Sequence, residues 1–193
     1  MALPKEYVGH LASQLTGLLE KSGKVQLSNK SAVAERIQQI LADDAAAEDR
    51  LNQEVRDYLE KYSDQMRRDG ISYQEMYKLV KKELMKKHRI SSSGKPDQDG
   101  SKLSREKVIE LSHALTTGLS AHKEHIQFLQ AVNDVRLEIV QILQSLLRDE
   151  HRMDVRVRDK IRSQKREIPE GSAEWDILFR KYYSEEMQKL GAI

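Results

Sequence analysis

The chain contains no cysteine, which excludes a disulfide framework and any cysteine-ligated metal centre. Three prolines and nine glycines in 193 residues are few chain breakers, and they leave room for long uninterrupted helices. No stretch approaches the roughly 18 consecutive apolar residues of a membrane span, and residues 1–10 lack the apolar centre of a secretory signal. The expected location is therefore cytoplasmic, with no membrane partner. An excess of one charge is also missing. The 33 basic and 31 acidic residues leave a net charge of +2, too small for a strong global field. Alternating apolar runs are absent and β-branched residues are scattered, which argues against sheet. What is present is 33% charged and 38% hydrophobic residues. That low apolar share suits amphipathic helices, each burying one stripe and exposing the rest.

The sequence repeats itself. At a separation of 100, Val8, Leu11, Leu15, Thr16 and Leu19 meet Val108, Leu111, Leu115, Thr116 and Leu119. At a separation of 102, Ile37, Ile40, Leu41, Glu48 and Arg50 meet Ile139, Ile142, Leu143, Glu150 and Arg152, and Val55-Arg56-Asp57 meets Val157-Arg158-Asp159. Helical periodicity alone reproduces apolar matches but not charged triplets in register. Between the copies, residues 91–101 hold no apolar side chain and many turn formers, which predicts a flexible linker over 91–102.

Each unit reads as three helices. In the first unit, Val8, Leu11, Leu15, Leu18 and Leu19 share a face, and Ser22-Gly23 stops that helix. A connector with Val25 and Leu27 follows. A long helix then buries Val33, Ile37, Ile40, Ala47, Leu51, Val55 and Leu59 and ends at Asp69-Gly70, and a third carries Met76, Tyr77, Val80 and Leu84. In the second unit, Val132, Val135, Ile139, Ile142, Leu146, Met153, Val157 and Ile161 predict one helix from about 130 to 166, in coiled-coil-like packing. Pro169 and Gly171 break it, and Ser172 caps the last helix. The expected fold is all-α: two tandem, internally duplicated helical units with long central helices in an elongated bundle, residues 1–90 and 103–193.

Catalytic patterns are missing. No phosphate-cradling glycine loop, zinc-ligand spacing or nucleophile turn occurs, and no catalytic residue or cofactor is expected. Glu106, Glu110 and His113 share a helix face, and Glu110 to His113 has the Glu-x-x-His spacing of di-iron bundles. That chemistry needs a second such motif and two more carboxylates, which the sequence lacks. A solvated helix face is the favoured assignment.

Two basic clusters and one aromatic cluster remain as a candidate interaction surface. Arg148, Arg152, Arg156 and Lys160 step by four, and Arg158, Arg162 and Arg166 extend the stripe. A face laced with ion pairs to Asp149, Asp154 and Asp159 is favoured over a phosphate-binding one. Lys78, Lys81, Lys82, Lys86 and Lys87 form the second cluster; without interleaved exposed aromatics, stacking on single-stranded nucleic acid is not expected there. In the last helix, Trp175, Phe179, Tyr182 and Tyr183 are expected to seal the bundle, with a partner-binding anchor at Trp175 and Tyr183 as the functional alternative.

The run from Lys160 through Arg166, Pro169, Gly171 and Ser172, followed by Glu174-Trp175-Asp176-Ile177-Leu178, Lys181-Tyr182-Tyr183 and Glu185-Glu186, resembles the bacterial domain-of-unknown-function 507 family. The Tyr77–Leu84 segment is similar to that family's lysine-rich helix. The resemblance implies a helical cytosolic protein and carries over no site. The sequence leads to a non-enzymatic interaction protein with a protein partner. Nucleic-acid backbone binding through the basic faces is the alternative, a metal protein built on Glu110 and His113 is a third, and a homodimer is compatible with all of them.

Overall fold

The computed structural model describes residues 5–88 and 102–189, with side chains from Tyr7 onward. In the first half, α1 (Lys5–Lys21) leads to a strand β1 (Val25–Leu27), then to α2 (Lys30–Lys61), a single short helix α3 (Ser63–Arg68) and α4 (Tyr73–His88). In the second half, α5 (Arg105–Ser120), β2 (Ile126–Phe128), α6 (Val132–Arg162) and α7 (Ala173–Lys189) follow in the same order. At 1.5 Å per residue, the 32-residue α2 and 31-residue α6 each run about 46–48 Å.

The punctuation follows from local chemistry. Gly23, Gly70 and Gly171 all adopt positive φ, at 70°, 66° and 85°, where a side chain would be strained. Three helix starts are capped by side chains that accept a backbone N–H: Asn29 from Ala32 at 3.0 Å, Ser104 from Lys107 at 3.3 Å and Ser172 from Trp175 at 3.1 Å. The predicted 130–166 helix ends earlier, at Arg162. The predicted third helix of the first unit is preceded by α3, because the chain leaves α2 at Tyr62 and re-enters helix for six residues before Gly70.

The four helices α1, α2, α5 and α6 build one core shared by both halves. α1 packs on α2 and α6, and α5 packs on α6 and α2. Leu15, Leu19, Ile37, Leu115, Leu119 and Ile139 are completely buried together. Positions related by the sequence offset fall in equivalent places. Val33, Ile37, Leu41, Leu51, Val55 and Leu59 are the buried residues of α2, and Val135, Ile139, Leu143, Met153, Val157 and Ile161 are all buried in α6.

The two connectors pair as a two-stranded antiparallel sheet, where the sequence argued against sheet. Val25 faces Phe128, Gln26 faces Gln127 and Leu27 faces Ile126. Ser28 N–H donates to the His125 carbonyl at 3.0 Å, and Leu129 N–H donates to the Lys24 carbonyl at 2.8 Å, the same bond made once on each side. Three-residue strands are too short to show alternation, so only the tertiary pairing reveals them. The linker predicted over 91–102 lies outside the described residues, apart from Lys102.

The halves differ at their outer helices. α7 packs on α6 and buries Trp175, Tyr183 and Met187 in the main core. α4 packs on α2 around a separate small cluster, Val55, Leu59 and Met66 with Met76, Tyr77, Val80 and Leu84, and buries no residue fully.

Candidate functional site

The α6 basic face is largely neutralised. Arg152 donates to Asp149 at 3.2 Å, Arg156 lies 3.6 Å from Glu186, and Lys160 donates to Glu185 at 2.8 Å with its ammonium 3.9 Å from the Tyr182 ring centre. The hydrogen bond to Glu185 holds the Lys160 ammonium above its usual pKa. Arg162 meets Asp159 at 3.4 Å and Glu170 at 3.0 Å, Arg158 meets Asp154 at 2.5 Å and also Glu170, and Arg166 pairs with Glu174. Arg148 is exposed. The i,i+3 and i,i+4 pairs were visible in the spacing. The partners at Glu170, Glu174, Glu185 and Glu186 come from the following turn and helix.

Two candidate surface residues are corrected. Trp175 and Tyr183 are each only 4% exposed. They lie inside the main core, so neither presents a surface to a partner. Apolar area of that size is driven inward, which leaves them as the seal between α6 and α7.

The α2–α3–α4 arm is different. Residues 55–88 hold nine Lys and Arg against six Asp and Glu, a net +3 on a chain whose total is +2. Lys81 lies 3.7 Å from Glu48, and Lys86 donates to Glu83 at 3.0 Å. Lys78, Lys82, Arg67 and Arg68 are exposed without an ion-pair partner among the described residues. Exposed aromatic and aliphatic groups lie among them, which the basic pattern alone did not suggest. Tyr58, Tyr62, Ile71, Tyr73 and Leu79 are each 43–58% exposed. The Tyr58 and Tyr62 rings pack on each other at 5.0 Å. The end of α2, α3 and the start of α4 bring these tyrosines to the tip of the arm.

A buried ionic centre was not foreseen. Lys102 donates to Glu150 at 2.6 Å and to Asp154 at 3.0 Å, and the Tyr183 hydroxyl donates to Glu150 at 3.1 Å. The Glu150 side chain is fully buried. Burial alone would push the Asp154 carboxyl up, but hydrogen bonds from Arg158 and Lys102 outweigh it and hold the group below its usual range. Burial, reinforced by Glu150, pushes the Tyr183 phenol up. The legible signal was Glu150 itself, a carboxylate four residues after Leu146 on the buried stripe.

The Glu106, Glu110 and His113 face gathers nothing further. Glu106 and His113 are exposed, and the Glu110 carboxylate lies 3.6 Å from the Lys107 ammonium. Among the described residues no three histidine or carboxylate side chains converge on a point that would hold a metal. None of the helices described is long and apolar enough to cross a membrane.

A search of curated proteins finds no match. A family model described as protein of unknown function (DUF507) matches residues 1–192. A match over nearly the whole length agrees with the resemblance carried by the C-terminal motif, and the chain belongs to the DUF507 family.

Proposed function

We propose that this chain is a non-enzymatic, cytosolic interaction protein that docks through the α2–α3–α4 arm onto an acidic surface of another macromolecule, by preference a protein. The observation that carries this is the arm surface, where Tyr58, Tyr62 and Tyr73 are exposed on the same three helices as Arg67, Arg68, Lys78 and Lys82, cations without an ion-pair partner among the described residues. Tyrosine offers rigid area with a polar edge, and Tyr and Arg dominate the residues on which interfaces depend. Lys78, Lys82 and the Arg67-Arg68 pair would steer and register the partner. The α6 face is secondary, because bringing most of its cations to a new partner requires breaking existing pairs.

The same exposed rings favour nucleic acid as the second reading, with tyrosines stacking on bases and lysines on phosphates. Fluorescence anisotropy with mixed-sequence RNA and duplex DNA over a salt series separates the two. The protein reading expects no salt-sensitive binding even at low salt. Steep salt-dependent binding, abolished by Lys78→Glu with Lys82→Glu but retained by Arg152→Glu with Arg156→Glu, would replace it with the nucleic-acid reading. Loss in the second pair alone would move the surface to α6 and overturn the arm.

A further inference from the structure

Among the described residues, β1 and β2 pair only with each other, so each strand keeps a free edge. The hydrogen bonds of the ladder fix which groups lie on it. In an antiparallel pair, opposite residues alternate between exchanging both bonds and exchanging none. The ladder is flanked by Ser28 N–H on the His125 carbonyl and Leu129 N–H on the Lys24 carbonyl. Gln26 and Gln127 are therefore the pair that exchanges both bonds, and the N–H and C=O groups of Ile126 and Phe128 point away from β1. Ile126 N–H is taken by the His122 carbonyl at 3.1 Å. The Phe128 N–H, the Phe128 C=O and the Ile126 C=O have no hydrogen-bond partner among the described residues.

A cavity of about 430 Å³ borders that edge, lined by Ser120, Lys123, Ile126, Gln127, Phe128 and Val132. Successive strand residues face opposite sides, so a cavity that reaches all three residues of β2 runs along its edge rather than over one face. Ile126, Phe128 and Val132 make its wall apolar, and Val132 is 56% exposed. Lys123 is exposed at the rim and has no ion-pair partner among the described residues. The neighbouring Glu124 carboxylate is turned to His122 at 3.5 Å and His125 at 4.0 Å. The corresponding place beside β1 is covered by charge. Lys30, the first residue of α2, donates to Glu20 in the last turn of α1 at 3.0 Å. The first residue of α6 is Val132 and the last of α5 is Ser120, so beside β2 neither charge of that cover is present.

We infer that the free edge of β2 takes up an extended segment of a partner protein as a third strand, with a large apolar side chain in the cavity and a carboxylate on Lys123. Unpaired strand groups are answered by another main chain, and a pocket beside them selects the side chain. One residue of the segment exchanges two bonds with Phe128, and a third N–H reaches the Ile126 C=O. Lys123 sets the sign of the charge, and the absent cover explains why β2 and not β1 is the receptive edge. The site is independent of the arm, so it stands or falls separately from the proposed docking function.

The test starts from a displayed library of random heptapeptides, selected on the full chain and on a variant with Ser120→Glu and Val132→Lys, which rebuilds beside β2 the cover that Glu20 and Lys30 form beside β1. Val132 is exposed and Ser120 half-buried at a helix end, so the variant should keep the parent's folded amide spectrum. The parent should enrich peptides that combine a large apolar residue with Asp or Glu, and the variant should not. The leading peptide, made synthetically, should give saturable amide NMR shifts centred on Gln127, Phe128 and Val132. Lys123→Glu should weaken it about tenfold. N-methylation of the peptide at alternate residues gives the signature of a strand. In one register it removes the bonded N–H groups and should weaken binding about tenfold or more, and in the other register it should be tolerated. Lys78→Glu with Lys82→Glu should leave binding unchanged, which separates this edge from the arm. No enrichment on the parent, equal enrichment on the covered variant, shifts centred on the arm, or equal loss in both N-methyl registers would each overturn the assignment.

Discussion

A fully buried carboxylate is tolerated only when its charge is met. Glu150 depends on the Lys102 ammonium, which is itself 10% exposed. Removing one partner of a buried pair leaves an uncompensated charge, so Lys102→Met should cost about 3–5 kcal/mol in urea unfolding. Adding Glu150→Gln should recover a large part of that loss. A Lys102→Met loss below about 1 kcal/mol would show that the contact is not formed in solution. His10 supplies a second residue-scale prediction. Burial lowers its pKa below the unfolded value near 6.5, so below that pH the unfolded chain takes up the proton first. The contribution of His10 is therefore complete above about pH 7 and declines as pH falls through the folded pKa. Unfolding midpoints between pH 7 and pH 5.5 should drop less in His10→Gln than in the parent protein. A drop of equal size would remove His10 as the cause. The Lys102 role was illegible in the sequence because the residue sits at the end of a run of turn formers, and composition assigns such a run to solvent. Glu150 was legible as a charge on a buried stripe, but its partners come from positions 48 residues earlier and 33 residues later in the chain.

At the scale of elements, the offset of 102 aligns Asn29 with Ala131, the residues that precede α2 and α6. Asn29 caps α2 through its side chain, whereas Ala131 gives α6 no such bond. Asn29→Ala should therefore destabilise by about 1 kcal/mol, and Ala131→Asn should stabilise by about the same amount. Thermal or denaturant melts of the two variants check this directly, and equal signs would contradict it. Close approach sets a further limit where α5 crosses α2. A side-chain carbon at Gly118 would lie 2.4 Å from Ile40 Cδ1. Gly118→Val should cost about 1–3 kcal/mol from overpacking, and Ile40→Ala in the same chain should return part of it. The stop at Ser22-Gly23 and the cap at Ser172 were readable because they arise from local chemistry, whereas the long helix read as far as Asp69-Gly70 ends at Lys61. The β1–β2 pairing was not, since the partners of Val25, Gln26 and Leu27 lie about 100 residues away and three residues carry no period.

For the whole molecule, one shared core makes the four central helices a single cooperative unit, while the outer helices differ in how firmly they are attached. α7 places Trp175, Tyr183 and Met187 in that core, and α4 rests on a small cluster of its own. Regions with few buried contacts open first. Native-state hydrogen exchange should therefore show the amides of α4 opening at lower free energy than those of α7, with α1 and α5 the slowest. Equal protection of α4 and α7 would contradict the asymmetry. That both halves are built as a helix, a connector and a long helix was legible in their apolar spacing. That they interleave in one core was not, because amphipathic stripes specify which face is buried and not against which helix. The exposed Tyr58, Tyr62 and Tyr73 were equally hidden, since an aromatic residue in a helix is buried by default.

Docking is proposed through the arm rather than through the α6 face or α7. Site-specific photo-crosslinking in cells tests it most directly, with the photoreactive side chain placed in turn at Tyr62, Leu79, Arg148 and Ile177, all exposed. Tyr62 and Leu79 should give the same discrete adduct, lost when Lys78→Glu and Lys82→Glu are added, and Ile177 should give no such adduct. That adduct appearing from Arg148 or Ile177 while Tyr62 and Leu79 give none would contradict it.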